Sequence, residues 1–313
     1  MTIDPQQLAA RITRDSASNL WFVGQALMPR KRRLFEAAYA SMRIIDDFVD
    51  DDFLTAGPDE RAARRDSAQR HIDLWRDAAV GSIAGGAAVD GLSARDTQVM
   101  AALRQAARST DLPDFPWHRL AEAMAFDVAE GTLETWDDFA RYCDGATVAP
   151  AIVFLYVLQA HPEDGEGLRA GLSATALTDQ ARDMAVFCYL VHIMRDFAKD
   201  AARGGQLVTI PEVCFAEHGT NREALSTAPE RATALLGDLS ARAERRRVAA
   251  RAMADSLIPS LAPVEGRILN ALLSIYERLH DSLKSDPSPL RNREPLIATL
   301  RATLASQLGL ALP

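Results

Sequence analysis

Apolar residues recur at spacings of three and four along most of this chain. The runs LFEAAYASMRIIDDFVD, HRLAEAMAFDVAEG, ATALTDQARDMAVFCYLVHIMRDFAKDAAR and VEGRILNALLSIYERLHDSLK all show this, and all are rich in alanine and leucine. That period marks helices with one face turned to a core. The patch LVTI at Leu207 to Ile210 is the only short stretch with strand character, so the pattern predicts an all-α protein. Glycines and prolines that stop helices fall at 80–96, 111–117, 161–167, 203–211 and 286–295, and breaks are expected there. None is long or simple enough in composition to be an interdomain linker, so residues 1–313 read as a single helical domain.

Composition narrows the function classes. Hydrophobic residues make up 48% and charged residues 25% of the chain, the proportions of a soluble globular protein. A formal net charge of -8 argues against a general binder of nucleic acid or anionic membrane, because both need surplus cation. No basic start leads into an apolar run, and no window approaches the roughly 20 apolar residues of a membrane span. A soluble, cytoplasmic protein is expected. Cys143, Cys188 and Cys214 form no CxxC pair and read as small buried apolar residues. The glycines at 81–91 match no phosphate-loop or dinucleotide fingerprint and read as a flexible loop.

The chemistry is concentrated in two acidic segments. In RIIDDFVDDD, Arg43, Asp46 and Asp50 share one helical face by their spacings of three and four, with Tyr39 a turn before Arg43 and Asp47 rotated by about 100°. Five aspartates between 46 and 52 would repel one another in a bare helix. Solvation and nearby arginines are the ordinary compensation, but Ile44, Ile45, Phe48 and Val49 interleave with the acids and place part of this helix in a core. In HIMRDFAKDAARG, His192, Asp196 and Asp200 can line one stripe, with Arg195, Lys199 and Arg203 beside it. Such stripes are usually solvated salt-bridge faces. Here the stripe emerges from the almost wholly apolar run Met184 to Met194, which suits the wall of an internal cavity better. Two opposed faces with paired aspartates would offer carboxylates to hard divalent cations. Magnesium binds through one or two carboxylates, waters and substrate phosphates, so a diphosphate substrate is implied.

Taken together, the segments resemble the squalene and phytoene synthase family of head-to-head isoprenyl diphosphate synthases. The stretch SASNLWFVGQALMPRKRRLFEAAYASMRIIDDFVD supplies Ser16, Ser18, Pro29, Tyr39, Arg43, Asp46, Asp47 and Asp50 in that family's order. YLVHIMRDFAKDAARG is similar to its second signature at Arg195, Asp196, Asp200, Arg203 and Gly204, and ARYCDGATVAPA to its Tyr-Cys helix at Tyr142 and Cys143. The resemblance spans residues 14 to about 295. It implies an all-helical class I isoprenoid-synthase fold whose central cavity takes two prenyl diphosphates. It also implies two or three magnesium ions on Asp46, Asp50, Asp196 and Asp200, with His192 a further candidate, as a metal ligand when neutral or a hydrogen-bond donor to phosphate when protonated. Arg43, Arg195, Arg203 and Arg293 would hold phosphate oxygens. Ser16 and Ser18 would donate to the same groups, although each alone reads as a helix cap. Tyr39, Tyr142 and Tyr276 would face the cation or orient diphosphate, although each alone reads as a core residue. A passing contact with a membrane surface at product release is a further expectation. NADPH is not expected to take part, because no nucleotide fingerprint is present.

The likeness breaks at three places, all flanking the cavity. Tyr189 and His192 stand where the family has Gln and Asn, and GGQLVTIP replaces a shorter loop containing Arg and Tyr. Pro150 falls inside what should be a substrate-facing helix, where it would kink the helix or shift its start. Three functions therefore compete. One is head-to-head condensation of farnesyl or geranylgeranyl diphosphate to a phytoene- or dehydrosqualene-type product. Another is the same ionisation with a different fate for the cation: water capture, another acceptor or cyclisation. The last is a noncatalytic assembly protein on the same fold, as the family's complex I assembly factors are.

Overall fold

Helices start where the sequence supplies a proline or a capping oxygen, as the computed structural model of residues 4–162, 167–203 and 208–310 shows. Pro29, Pro58, Pro116, Pro150, Pro263 and Pro295 stand in first turns, where a missing N–H costs no helical hydrogen bond. Ser18, Ser93, Thr135 and Ser173 cap others through their hydroxyls. In chain order the helices are α1 (Pro5–Asp15), α2 (Asn19–Gly24), α3 (Pro29–Asp47), α4 (Pro58–Ile83), α5 (Ala94–Ala107), α6 (Phe115–Val128) and α7 (Trp136–Cys143). They continue as α8 (Ala149–Gln159), α9 (Ala174–Ala201), α10 (Glu212–Glu217), α11 (Arg222–Thr227), α12 (Thr233–Leu257), α13 (Pro263–Ser285) and α14 (Glu294–Leu308).

The fold is all-α, as the periodicity predicts. Among the described residues the only sheet is a two-residue antiparallel ladder, β1 (His161–Pro162) with β2 (Leu168–Arg169), at one of the expected breaks. Of the β-branched patch, the described residues Val208 to Ile210 form no strand. Val208 and Ile210 are held by Arg222, whose guanidinium donates to both backbone carbonyls. Leu207, Gly204 and Gly205 lie outside the described residues.

Helix α3 runs through the core, packed against α1, α5 and α8, and α9 packs against α8, α12 and α13. One residue, Ser41, knits α3 to its neighbours through its carbonyl and its hydroxyl. The indoles of Trp75 on α4 and Trp117 on α6 donate to Ser41 O at 2.7 Å and Ser41 Oγ at 3.0 Å. At the start of α3 a buried ion pair does similar work: Lys31 Nζ lies 2.8 Å from Glu265 Oε1 on α13 and donates to Leu158 O on α8 at 2.9 Å. The two side chains are 7% and 5% exposed.

Two π-helical turns flank α6. One, Phe48–Phe53, continues α3 directly from its aspartates; the other, Asp144–Val148, joins α7 to α8. The second resolves the Pro150 question in favour of a shifted start, with α8 beginning at Ala149 and Pro150 in its first turn. Gly145 is required in that π turn because a Cβ there would sit 2.1 Å from Arg119 O on α6. Together α7, the π turn and α8 make a run from Trp136 to Gln159 that is long and apolar enough to cross a membrane by length and composition. The sequence reading missed this run, because Asp137, Asp138, Arg141 and Asp144 interrupt its first turns. Most of its apolar window is buried inside the protein, as in the core helix of a soluble fold. Cys143 and Cys214 are buried and Cys188 partly so, all three free thiols.

Candidate active site

On α3 and the π turn that continues it, Arg43, Asp46 and Asp50 stand on one face. Arg43 reaches forward along the helix to both neighbouring acids, with Nη1 2.8 Å from Asp46 Oδ2 and Nη2 2.5 Å from Asp47 Oδ1. One turn on, Asp50 begins the π segment. Asp46, Asp50, Tyr142, Tyr189 and Tyr276 all sit deep in the protein yet keep solvent-accessible surface, as side chains lining a cleft do.

The opposite wall belongs to α9. Asp196 is gripped by its own helix: Arg195 Nε donates to Oδ1 at 2.7 Å and Nη2 to Oδ2 at 2.5 Å, and His192 Nε2 lies 2.8 Å from Oδ2. Burial alone would raise this carboxyl, but the hydrogen bonds from Arg195 and His192 outweigh it and hold Asp196 well below the usual range. Asp200 has no such partner among the described residues; burial and the charge of Asp196 push it up to about 6. Asp46 lies within electrostatic reach of His192, so the two acidic segments face each other as expected. At the rim Arg203 Nη1 lies 3.3 Å from Asp51 Oδ1, joining the end of α9 to the first π turn.

A fifth acid completes the cluster, and the sequence reading overlooked it. Asp127 on α6 accepts a hydrogen bond from Tyr142 Oη at 3.0 Å and sits close enough to Asp46 and Asp50 to shift both it and Asp50. Burial and the charge of Asp46 push Asp127 up to about 7, against the pull of Tyr142. Asp50 is raised further, to about 8, by burial and the charges of Asp46 and Asp127. The available signal was a lone acid in the apolar run AEAMAFDV.

The remaining candidates divide. Tyr142 stands among aromatic rings, 5.7 Å from Phe126 and 6.5 Å from Tyr189 by centroid. Tyr39 and Tyr276 share the other side of the cleft, near Arg195 and Arg43. Ser18 caps α2 by accepting from Trp21 N at 3.0 Å, and Ser16 donates to Thr13 O at 2.7 Å, so the capping reading describes both hydroxyls here. Ala17 between them is left-handed, with φ 48°. That loop is fixed by Arg301 on α14, which donates to Ala17 O at 2.7 Å and to Asn19 Oδ1 at 2.7 and 3.1 Å. Arg293 is corrected: it does not join the cluster. It is buried, and its guanidinium donates to the carbonyls of Asp286, Ser288 and Arg291, organising the loop before α14.

Among the described residues, no three acids or imidazoles are close enough to chelate a metal unaided. The donor set still fits magnesium. Asp46, Asp50 and Asp127 are crowded hard-oxygen donors, raised by burial and by one another's charge, and a diphosphate would supply further oxygen ligands. This crowding sets a pH dependence. A carboxyl with a raised folded pKa binds more protons folded than unfolded, so stability is lost as pH rises. For Asp50 that window runs from the ordinary carboxylate range up to about 8. The metal-free protein is expected to unfold at lower urea near pH 8 than near pH 6, and magnesium with diphosphate to reverse the loss. A midpoint that rises steadily over this range would contradict the assignment.

A dehydrosqualene synthase crystallised with a ligand superposes on this chain with a TM-score of 0.70 at 18% identity, covering 97% of this chain and 96% of its own. The squalene synthase HpnC from Alicyclobacillus acidocaldarius gives 0.66 at 20% identity, covering 90% and 94%. At such identities the likeness establishes the fold. No curated protein matches by sequence. The family model for squalene/phytoene synthase matches residues 13–301, nearly the whole chain. With both aspartate segments, the Tyr142 helix and the fold in agreement, the chain belongs to the squalene/phytoene synthase family of prenyltransferases.

Proposed function

We propose that the protein condenses two prenyl diphosphates head to head in a magnesium-dependent reaction, giving a phytoene- or dehydrosqualene-type product. The observation that carries this reading is the arrangement of charge. A deep-set acidic wall, Asp46, Asp50 and Asp127, faces the guanidinium-bearing wall of Arg195, His192 and Asp196. Magnesium held by Asp46, Asp50, Asp196 and Asp200 would neutralise the diphosphate leaving group.

The protein's own groups account for the rest. Arg43 and Arg195 offer planar donors to phosphate oxygens, each by loosening its grip on a neighbouring aspartate. Once the allylic C–O bond breaks, the faces of Tyr142, Tyr189 and Phe126 stabilise the cation. Burial raises the Tyr142 and Tyr189 hydroxyls well above their usual range, which keeps both rings neutral and unreactive. The double bond of the second substrate attacks C1 of the first. A proton leaves to a carboxylate or to the released diphosphate, and the cyclopropylcarbinyl diphosphate so formed ionises again.

Incubation with C10, C15 and C20 prenyl diphosphates and magnesium, with and without NADPH, tests the reading. A C30 or C40 hydrocarbon is expected. A monomeric alcohol or cyclised product would show the cation meeting another fate, and absence of turnover would leave the fold without this chemistry.

A further inference from the structure

We propose that Phe35 is the floor of the prenyl pocket and fits it to a C15 rather than a C20 chain. This rests on the function proposed above and names its substrate. Phe35, Tyr39 and Arg43 climb α3 in steps of four, so the phenyl ring lies directly below the tyrosine, with ring centroids 5.7 Å apart. Phe35 is 2% exposed and Tyr39 keeps accessible surface, so accessibility ends at this step of the stripe.

Length decides which chain fits. At 1.5 Å per residue, Phe35 lies about 12 Å below Arg43 along the helix axis, and Lys31 about 18 Å below it. An extended chain gains about 1.2 Å per bond, so the main chain of a C15 prenyl group reaches about 13 Å and that of a C20 group about 18 Å. The shorter chain ends at the phenyl ring. The longer one would need the space that Phe35 fills, down to Lys31.

The ring has nowhere to retreat. Behind it, a Cβ built on Gly24 would stand 2.6 Å from Phe35 Cε1, so the ring is already pressed against the α2 backbone. Phe154 on α8 closes another side edge-on, with centroids 6.1 Å apart. Below, the Lys31–Glu265 pair and its bond to Leu158 O tie α3, α8 and α13 together. A long chain therefore meets a packed floor.

The test is the ratio of kcat/KM for farnesyl over geranylgeranyl diphosphate in the wild type, Phe35→Leu, Phe35→Ala and Phe154→Ala. Both substrates are assayed on one preparation, so any loss of folded protein cancels in the ratio. The wild type is expected to favour the C15 substrate by about tenfold or more, and Phe35→Ala to lower the ratio by about tenfold to a hundredfold. Phe35→Leu should fall between them. Equal use of both substrates by the wild type, or an unchanged ratio in Phe35→Ala, overturns the floor while leaving the proposed reaction intact. If the wild type turns over neither substrate, the reaction and the floor fall together.

Discussion

Replacing Asp46 or Asp196 by alanine is expected to lower magnesium-dependent diphosphate release by about a thousandfold or more, with the helical circular dichroism unchanged. Neutralising a leaving group with a metal contributes several kcal/mol, and about 4 kcal/mol is three powers of ten in rate. The two variants should fail differently. Asp46 is a carboxyl raised by burial and by the charges of Asp47 and Asp51 against the pull of Arg43, so its loss removes a desolvation cost and the metal-free protein should become slightly more stable. Asp196 neutralises Arg195, which lies largely buried at 16% side-chain exposure. Its loss should leave that guanidinium poorly paired and lower stability by about 1–3 kcal/mol. Diphosphate release and urea midpoints measured on the same preparations separate the two effects. Wild-type turnover in either variant would remove the metal assignment.

The largest effect on stability is expected far from the acids, at Lys31. Replacing Lys31 or Glu265 alone by alanine strands the other charge in the core, which costs about 3–5 kcal/mol. The pair should not be read as a large net gain. Two charges removed from water lose their hydration, and the double change Lys31→Met with Glu265→Leu is expected to be nearly neutral. Equilibrium urea unfolding of Lys31→Met, Glu265→Leu and the double variant gives the coupling. Single variants within about 0.5 kcal/mol of wild type would mean that water reaches this end of α3.

Much of this site was legible because it is local. Tyr39, Arg43, Asp46 and Asp50 lie within three turns of one helix, and His192, Arg195, Asp196 and Asp200 within another, so helical spacing alone places them on shared faces. Pro150 was also readable in part, since a proline can only kink a helix or begin one. What escaped the sequence is what distant segments bring together. Asp127 becomes chemical only because α6 sets it against Tyr142 and the acids of α3. Arg301 closes on Asn19 from 282 positions away, and nothing in either neighbourhood announces the other. Arg293 shows the converse error. The family resemblance put phosphate oxygens on Arg293, but three backbone carbonyls hold its guanidinium.

The π turns at 48–53 and 144–148 bear on how such a site can change over generations. A π turn is an α-helix that has absorbed one additional residue while the turns on either side keep their facing. The one at 144–148, between α7 and α8, therefore marks a point where the chain can gain or lose a residue without rotating either helix. The one at 48–53 ends α3 and leads into a turn, so a change of length there leaves α3 itself unrotated. Trimming one residue from 48–53 would re-aim the acids beyond Asp46 and leave Asp46 where it is. Trimming one from 144–148 would redraw the wall between Tyr142 and Pro150 while keeping both flanking helices in place. The rim of this site is thus open to variation by insertion and deletion, a route that substitution within the fixed stripe of α3 does not offer.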